Sequence, residues 1–343
     1  MIAPMRLIKR IAIYQLLITI LAACNLPTAV PAATPTPAAT STVTPTSTPE
    51  PTPKPRLGSN ENPILLALPP AQFLDPTAVG NGQTLARLLE EQTGYRVVAV
   101  APTTYIELIE SLRVGNAHIA ALPPYAIVKA YQRDAVKAAF ASTQDGAASY
   151  GAQFIAPSDK FKTYYDPTTK TNLADAPEAL AQFSGKKGCW TEPDSASGYL
   201  VPLGILNWFK IPTEEGAFLQ SHFSVVRAVR VGEICDFGAT YIDARTYPAL
   251  KDEYPFITDE VAVIWEIPPI IPYDGIFLSK TIPDDVSAEL KRALDLIHAT
   301  DDGKTLFKAL FGFTGMIPVE DIFYVEFARD ILASPVNFRN LVH

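Results

Sequence analysis

The chain has 343 residues, of which 48% are hydrophobic, and a formal net charge of −8. This length allows two lobes with hydrophobic cores of their own. The excess of acidic residues argues against a nucleic-acid-binding protein, which would present a basic surface. An anionic ligand would therefore need a small, enclosed site with local hydrogen-bond donors.

The first 24 residues have the layout of a bacterial lipoprotein signal peptide. Three basic residues precede an apolar run over 11–21, which is too short to span a bilayer comfortably. Small residues then lead to Cys24, whose sulfur would carry a diacylglycerol; a plain signal peptide is the alternative. We therefore expect removal of residues 1–23, which changes the net charge from −8 to −11 because it removes three basic and no acidic residues. The lipid would hold the protein on the outer face of the cell membrane.

Residues 24–59 are expected to form a disordered tether. Between Asn25 and Arg56 almost every residue is Pro, Thr, Ala or Ser, so apolar residues are too sparse for a core. In a polyproline II conformation, at about 3.1 Å per residue, the segment would reach on the order of 100 Å. It would carry the globular body away from the membrane.

Short apolar runs alternate with amphipathic helices from residue 60 onward. This alternation predicts parallel sheets with helices on both faces. The predicted strands lie at 63–69, 96–100, 119–122, 150–156, 234–240, 261–265 and 275–278, with another ending at residue 190. The predicted helices lie at 83–93, 104–114, 125–133, 176–183, 199–208, 224–231, 287–299 and 303–310.

The order of these elements predicts an α/β fold with two lobes, each a mostly parallel sheet flanked by helices. Residues 60–153 and 268–343 form the first lobe in this interpretation, and residues 154–267 form the second. The chain would cross between the lobes at about 150–156 and 261–272. Two crossings make a hinge, and the cleft between two such sheets is where ligands bind.

The most informative stretch is the turn Ser195-Ala196-Ser197-Gly198, which follows a strand and opens an apolar helix. The first backbone N–H groups of a helix lack partners within it and can cradle an anion. The two serine side chains can each cap the helix or donate a hydroxyl to a bound oxyanion, and Gly198 lets the backbone approach closely. An ordinary helix cap is the alternative.

Two cysteines remain after Cys24. Cys189 and Cys235 end short apolar runs that could be neighbouring strands. An extracytoplasmic setting favours a disulfide between them, and two buried free thiols are the alternative. No clustered His or Cys motif in the sequence indicates a metal site, and no cofactor is expected.

Several short motifs follow one another in a recognisable order. They are Gly94-Tyr-Arg-Val, Pro102-Thr-Thr-Tyr105, Asp145-Gly-Ala-Ala-Ser-Tyr150, Phe183-Ser-Gly-Lys-Lys187, Asp194-Ser-Ala-Ser-Gly-Tyr199, Ser221-His222, Gly232-Glu-Ile-Cys-Asp236 and Ile271-Pro-Tyr-Asp274. This ordered set resembles the phosphate/phosphite/phosphonate substrate-binding proteins of bacterial ABC importers, which have the type II periplasmic-binding-protein fold. The resemblance extends over residues 63–324.

The resemblance implies an anion site around the turn from Ser195 to Gly198. The family's usual Thr in this turn is Ala196 here, so one hydroxyl is missing. Tyr105 and Tyr150 would donate phenolic hydrogen bonds to the oxyanion. His222 would also donate to the anion, as an imidazole held cationic because the ligand raises its pKa. Surface side chains without a role are the alternative for Tyr105, Tyr150 and His222.

Two carboxylates complete the set that the resemblance implies. Asp274 would accept a hydrogen bond from a protonated ligand oxygen or from a ligand amine. Asp243 stands where some family members carry a Glu that contacts the ligand's amino group. Asp236 and His118 depart from the family pattern in spacing and in residue type, and both are interpreted as structural residues.

The resemblance therefore implies a monomeric, extracytoplasmic solute-binding lipoprotein that captures a phosphorus oxyanion and delivers it to an ABC permease in the membrane. A lipid-anchored sensor, or a binding protein for another small anion without a transporter, is the alternative. An enzyme is disfavoured, because the glycine of a Gly-x-Ser-x-Gly nucleophile turn is absent before Ser195.

Overall fold

The computed structural model of the chain describes residues 55–70 and 75–333. Cys24, the predicted signal peptide and most of the predicted tether lie outside these ranges. Within them, no helix combines the length and apolar character that crossing a membrane requires.

The described residues form thirteen strands and eleven α-helices. The strands are β1 (Ile64–Ala67), β2 (Val97–Val100), β3 (Ile119–Leu122), β4 (Val136–Thr143), β5 (Ser149–Pro157), β6 (Tyr165–Asp166), β7 (Thr171–Asn172), β8 (Lys187–Trp190), β9 (Glu214–Phe218), β10 (Phe237–Tyr241), β11 (Val261–Pro272), β12 (Gly275–Ser279) and β13 (Gly315–Pro318). The helices are α1 (Pro76–Thr93), α2 (Tyr105–Val114), α3 (Pro124–Gln132), α4 (Ala176–Leu180), α5 (Val201–Trp208), α6 (His222–Val231), α7 (Pro248–Glu253), α8 (Ile257–Glu260), α9 (Asp284–His298), α10 (Asp301–Phe311) and α11 (Ile322–Ala333).

The first lobe is built on a six-stranded mixed sheet. Its order is β13-β4-β12-β3-β1-β2, with β1 parallel to both β2 and β3 and the other pairings antiparallel. Helices α1, α9 and α10 bury apolar side chains on one face, and α2, α3 and α11 do so on the other. The lobe therefore has a core on each side of its sheet.

The second lobe is built on a five-stranded mixed sheet in the order β11-β5-β10-β8-β9. Strand β8 is parallel to β9 and β10, whereas β5 is antiparallel to β10 and β11. Helices α4 and α5 pack on one face, and α6, α7 and α8 pack on the other.

The two-lobed α/β fold is confirmed, but the sheets are mixed rather than mostly parallel. The reason lies in the strands that follow each crossing. Strand β5 enters the second sheet between β10 and β11 and runs opposite to both. On the return, β12 enters the first sheet between β3 and β4 and again runs opposite to both neighbours.

The chain changes sheets between β4 and β5 and again between β11 and β12. Strands β5 and β11 pair with each other from Pro157 and Val261 to Ser149 and Pro272, with two register shifts. At Gly151 they approach so closely that a Cβ atom would overlap the carbonyl oxygen of Ile267. The lobe boundaries predicted near residues 153 and 267 fall inside these two strands and stay a prediction.

Local signals explain several helix ends. Helix α1 begins at Pro76, before the predicted start at residue 83, because the Asp75 side chain accepts a hydrogen bond from the Thr77 N–H (2.9 Å). Gly94 ends this helix in the left-handed conformation, with φ of 72°. Helix α2 begins at Tyr105 because Thr104 caps it.

Some elements were not predicted, and one prediction was wrong. Strands β4, β9 and β13, the β6–β7 hairpin and helices α7, α8 and α11 were missed. The segment 267–272 was expected to be a crossover that follows a strand ending at residue 265, but β11 continues through it to Pro272. A strand can contain prolines here because β11 lies at the sheet edge and the pairing bulges between Ile267 and Ile271.

The disulfide between Cys189 and Cys235 is present, with the two Cα atoms 5.6 Å apart. Both cysteines are buried. The bond joins β8 to the residues that precede β10. It therefore braces the strand that leads directly into the serine-containing turn.

Candidate functional site

The carboxyl ends of the parallel strands in each lobe lie beside the crossings. In the first lobe, Leu122 at the end of β3 pairs with Gly275 at the start of β12. In the second lobe, Tyr241 at the end of β10 pairs with Ala152 near the start of β5. Loops that follow parallel strands at such an edge are the usual place for a ligand in open α/β sheets.

The serine-containing turn opens a continuous helical segment after β8. A π-helical turn over Ala196–Leu200 runs directly into α5. Ser195 Oγ accepts a hydrogen bond from the Gly198 N–H (3.1 Å), so Ser195 caps the helix, which was one of its two expected roles. A hydroxyl that accepts one hydrogen bond can still donate its own proton, so capping does not exclude contact with an anion.

Ser197 joins this turn to strand β5. It is 4% exposed, and its side chain lies near enough to the Tyr150 phenol to affect the pKa of that phenol. Burial raises the pKa of Tyr150 to about 12, although Ser197 opposes the shift. Tyr150 therefore stays protonated at neutral pH and keeps a proton to donate.

Gly198 is required by the strand beneath it. A Cβ atom at this position would overlap Oγ1 of Thr191, which follows β8. The Thr191 hydroxyl is fully buried and has no hydrogen-bond partner among the described residues. The sequence suggested that position 198 is glycine so that a ligand can approach closely. Packing against Thr191 is by itself a sufficient reason for glycine at this position.

Two tyrosines of the first lobe face the turn from the other side. Tyr105 begins α2, and Tyr125 lies in the first turn of α3; their rings pack edge to face with centroids 5.5 Å apart. Burial raises the pKa of both phenols, and the charges of Asp274 and Asp194 raise these pKa values further. Since Asp194 belongs to the second lobe, residues of both lobes meet here.

Tyr125 was not among the predicted site residues. No motif in the sequence marks it. Its position directly after β3 was a usable signal, because residues that follow a parallel strand lie at the ligand edge.

Asp274 lies at the second crossing, between β11 and β12. Burial raises its pKa to about 6. Its charge in turn raises the pKa values of four phenols, which therefore lie in its neighbourhood: Tyr105, Tyr125, Tyr150 and Tyr324. Its neighbour Tyr273 stacks on Tyr150, with centroids 4.8 Å apart.

His222 is the first residue of α6, and Ser221 caps this helix by accepting the Ser224 N–H (3.1 Å). The imidazole Nδ1 accepts the backbone N–H of Tyr241 (3.2 Å). Burial lowers the pKa of His222 to about 4, so at neutral pH the ring is uncharged and carries its proton on Nε2. The Nε2–H is therefore a donor in the protein alone, and an imidazolium held cationic by a bound ligand stays a prediction.

Asp243 is engaged by its own lobe. Its carboxylate forms an ion pair with Arg245 (2.6 Å) and accepts a hydrogen bond from Gln153 Nε2 (2.7 Å). Burial raises the pKa of Asp243, but these bonds outweigh it and leave the pKa below its usual value. A ligand contact by Asp243 would have to compete with these partners, and it stays a prediction.

Asp236 and His118 have the structural roles that the sequence suggested. Asp236 Oδ2 accepts the Lys187 N–H (2.9 Å) and thereby fixes β8. His118 is buried, and its Nδ1 accepts the Leu65 N–H (2.9 Å) beside β1. Neither side chain is among the groups that meet around Asp274.

The residues that the structure brings together suit an anion that carries its own proton. The phenols of Tyr105, Tyr125 and Tyr150 and the hydroxyls of the turn are neutral donors, and Asp274 is an acceptor. None of these site residues is Lys or Arg. Among the described residues, no group of three or more His, Cys, Asp or Glu side chains could hold a metal ion.

The phosphate-import protein PhnD of Mycolicibacterium smegmatis (strain ATCC 700084 / mc(2)155) is 26% identical over 222 residues, which cover 61% of this chain and 64% of that protein. The match therefore spans slightly less than two thirds of the length of that relative.

Two solved structures show the same fold. XAC2383 from Xanthomonas citri bound to ATP has a TM-score of 0.61 at 15% identity, covering 82% of this chain and 99% of that one. PhnD1 from Prochlorococcus marinus (MIT 9301) in complex with methylphosphonate has a TM-score of 0.50 at 15% identity, covering 81% of this chain and 97% of that one. The two-lobed architecture is thus that of periplasmic binding proteins.

The family model described as "ABC transporter, phosphonate, periplasmic substrate-binding protein" matches residues 76–324, which include the five-stranded sheet, every strand of the six-stranded sheet except β1, and every site residue discussed above. The chain belongs to this family of periplasmic substrate-binding proteins of phosphonate ABC transporters.

Proposed function

We propose that the protein captures a phosphorus oxyanion (phosphonate, phosphite or phosphate) between its lobes and delivers it to the permease of an ABC importer. The observation that supports this best is the convergence of neutral hydrogen-bond donors from both lobes around one carboxyl group, Asp274. Family membership supports the same proposal independently.

In this proposal each ligand oxygen finds a donor. Ser195, Ser197 and the N–H groups of the helix start hold oxygens from the second lobe, and Tyr105 holds one from the first. Tyr150 and the His222 Nε2–H complete the shell. Because an unpaired buried charge is very costly, an anion whose oxygens are not all matched would bind weakly.

Asp274 distinguishes ligands by their protons. Its carboxylate accepts a hydrogen bond from a P–OH group or from a ligand amine, and either contact favours its ionised form. Sulfate carries no proton at neutral pH and would place its charge against the carboxylate. The site should therefore reject sulfate while accepting a phosphorus oxyanion of the same size.

Ligand capture should close the cleft. The paired strands β5 and β11 are the covalent links beside the site, so bending there would bring Tyr105 and Tyr125 toward the serine-containing turn. The closed form would present both lobes to the permease in one fixed arrangement. A sensor that binds the same anion without a transporter would close in the same way, and only transport assays separate the two.

The decisive experiment is calorimetric titration of the full chain, purified in detergent, with phosphate, phosphite, methylphosphonate, 2-aminoethylphosphonate and sulfate. Saturable binding of one phosphorus oxyanion, with no response to sulfate, is expected. Ser197→Ala and His222→Ala should each weaken that binding by about 1–3 kcal/mol, as expected when a hydrogen bond to a charged group is lost. Unchanged affinity in both variants would refute the assigned site, and no binding across the panel would refute the ligand class.

We further propose that the mature protein is a lipid-anchored monomer, attached through Cys24 after removal of residues 1–23, with residues 24–59 as its tether. Membrane fractionation tests the anchor. The wild-type chain should sediment with the membranes, and Cys24→Ser should release it into the soluble extracytoplasmic fraction. Release of both proteins, or retention of both, would contradict lipidation at Cys24.

A further inference from the structure

A group of aromatic side chains lies beside His222 on the second lobe. The His222 and Tyr241 rings pack edge to face with centroids 4.6 Å apart, and Phe223 stacks on Tyr247 at 4.2 Å. Burial and then the neighbouring Tyr247 raise the pKa of Tyr241, so these two tyrosines are close to each other. We call Phe223, Tyr241 and Tyr247 the aromatic rim.

His222 places the aromatic rim next to the proposed anion site. Tyr241 pairs with Ala152, and two residues earlier on β5 is Tyr150, which lies near Ser197 of the turn. Tyr150 packs against the core on the α5 side of the sheet, and Tyr241 packs against the core on the α6 side. The contact of the Tyr241 ring with His222 therefore places the rim beside the imidazole that would hold a ligand oxygen.

The aromatic rim is held in place without any ligand. Between Tyr241 and Tyr247 the chain is fixed by the ion pair of Asp243 with Arg245, and Arg245 Nη1 also donates to the Val261 carbonyl (2.7 Å). Gln153 on β5 donates to the same Asp243 carboxylate. These bonds give Asp243 a positioning role, since they order the segment that carries Tyr247.

The rings of the aromatic rim are not fully buried in the core. Tyr247 is 46% exposed, and Phe223 and Tyr241 are only partly buried. A rigid, partly exposed aromatic surface beside a set of polar donors is typical of a small-molecule site, where the polar groups orient one end of a ligand and the rings pack against the other. A single oxyanion is too small to cover it.

We propose that the aromatic rim is a subsite for the organic substituent of the ligand, and that this substituent carries an aromatic ring. The ligand class is then a phosphonate or phosphate monoester with an aryl group, rather than the inorganic ion or a short alkyl phosphonate. This inference rests on the proposed oxyanion site, because that site fixes the phosphorus end of the ligand. The exposed face of Tyr247 and the edge of Tyr241 would hold the ring.

Paired titrations of the full chain in detergent with methylphosphonate and phenylphosphonate test the proposal. An aromatic contact contributes about 0.5–1.5 kcal/mol beyond the area it buries. The apolar area that the ring buries adds to this, so the wild-type chain should bind phenylphosphonate at least about fivefold more tightly than methylphosphonate. Tyr247→Ala should reduce this ratio to below about twofold with methylphosphonate affinity unchanged, whereas Tyr247→Phe should keep it.

Phe256→Ala is the matched control. Phe256 is also exposed, at 67%, and it lies nine residues beyond Tyr247, between α7 and α8. Its removal should leave both affinities unchanged. Equal or weaker binding of phenylphosphonate by the wild-type chain, or a preference that survives Tyr247→Ala, would overturn the aromatic subsite while methylphosphonate binding left the oxyanion site standing. Failure of both ligands to bind would instead refute the oxyanion site itself.

Discussion

Replacing Asp274 by Asn should make the protein more stable and a poorer binder at the same time. The pKa of Asp274 is raised from 3.8 to about 6 by burial. Between these two pH values the unfolded chain loses the proton while the folded protein keeps it, so the free energy of unfolding falls as the pH rises. Above pH 6 the free energy of unfolding falls no further. The total decrease is about 3 kcal/mol, at 1.36 kcal/mol for each unit between the two pKa values.

The variant removes this ionisation. Asp274→Asn should be more stable than the wild type by up to about 3 kcal/mol above pH 6, and the difference should vanish near pH 4. For a chain of this size the gain corresponds to a rise in Tm on the order of 5 °C. Scanning calorimetry from pH 4 to pH 8 measures it. Asp284→Asn is the control, because Lys137 holds the pKa of the exposed Asp284 below its usual value and this variant should gain no stability at any pH.

The affinity should move in the opposite direction. A bond from a ligand proton to a charged acceptor is worth about 1.5–3 kcal/mol, so Asp274→Asn should weaken binding of a protonated oxyanion by roughly 10- to 100-fold. In the wild type the same contact should weaken as the pH falls below 6. A variant that is less stable than the wild type at pH 8 would show that the carboxylate has a stabilising partner in the folded protein. Unchanged affinity would show that Asp274 does not touch the ligand.

Three further outcomes follow from the same geometry. Gly198→Ala should destabilise the protein by about 1–3 kcal/mol in urea titrations and weaken binding, and Thr191→Ala in the same chain should restore part of both losses, because the new methyl group overlaps Thr191. Replacing both Cys189 and Cys235 by Ala should cost about 3–4 kcal/mol of unfolding free energy, since the disulfide closes a loop of 46 residues; equal stability of the two chains would refute this reasoning. Oxyanion affinity should change less than about threefold between 20 and 500 mM NaCl, because the site residues include no Lys or Arg and short-range bonds are screened little; a tenfold loss in the titration would point to cationic residues elsewhere.

The fold was predictable where the residues of an element are sufficient to identify it as a strand or a helix. The strand predicted at 119–122 is β3, because its four apolar residues are all buried between two layers of helices. Strand β4 was missed, since its Ala-rich sequence has no clear period and it becomes a strand through pairing with β12 and β13, more than 100 residues away. The second half of β11 was missed because it contains prolines. A strand tolerates prolines there only because β11 lies at the edge of its sheet, which the sequence does not reveal.

The site was predictable to the extent that one motif contains it. The serine-containing turn was found from its own residues, and its capping bond lies within four residues of sequence. Tyr125 and Asp194 were missed as members of the cluster because their meeting depends on how two lobes face each other. The burial of His222, which lowers its pKa in the protein alone, was also not visible in the sequence, since the ring packs against Tyr241, 19 residues away.

The proposed way of holding an anion follows from the charge of the chain. A chain with an excess of acidic residues gains little from long-range attraction of an anion, and the site residues provide no cation to reverse that field. Neutral donors can still hold an oxyanion if water is excluded, because hydrogen bonds to a charged group are stronger in a less polar surrounding. The burial that strengthens these donors also raises the pKa of Asp274, so the folded protein stores an unfavourable ionisation at neutral pH. In the proposed complex, a ligand that donates its proton to that carboxylate would relieve the cost, and the predicted preference for protonated oxyanions would come from the buried carboxyl group rather than from a positive charge.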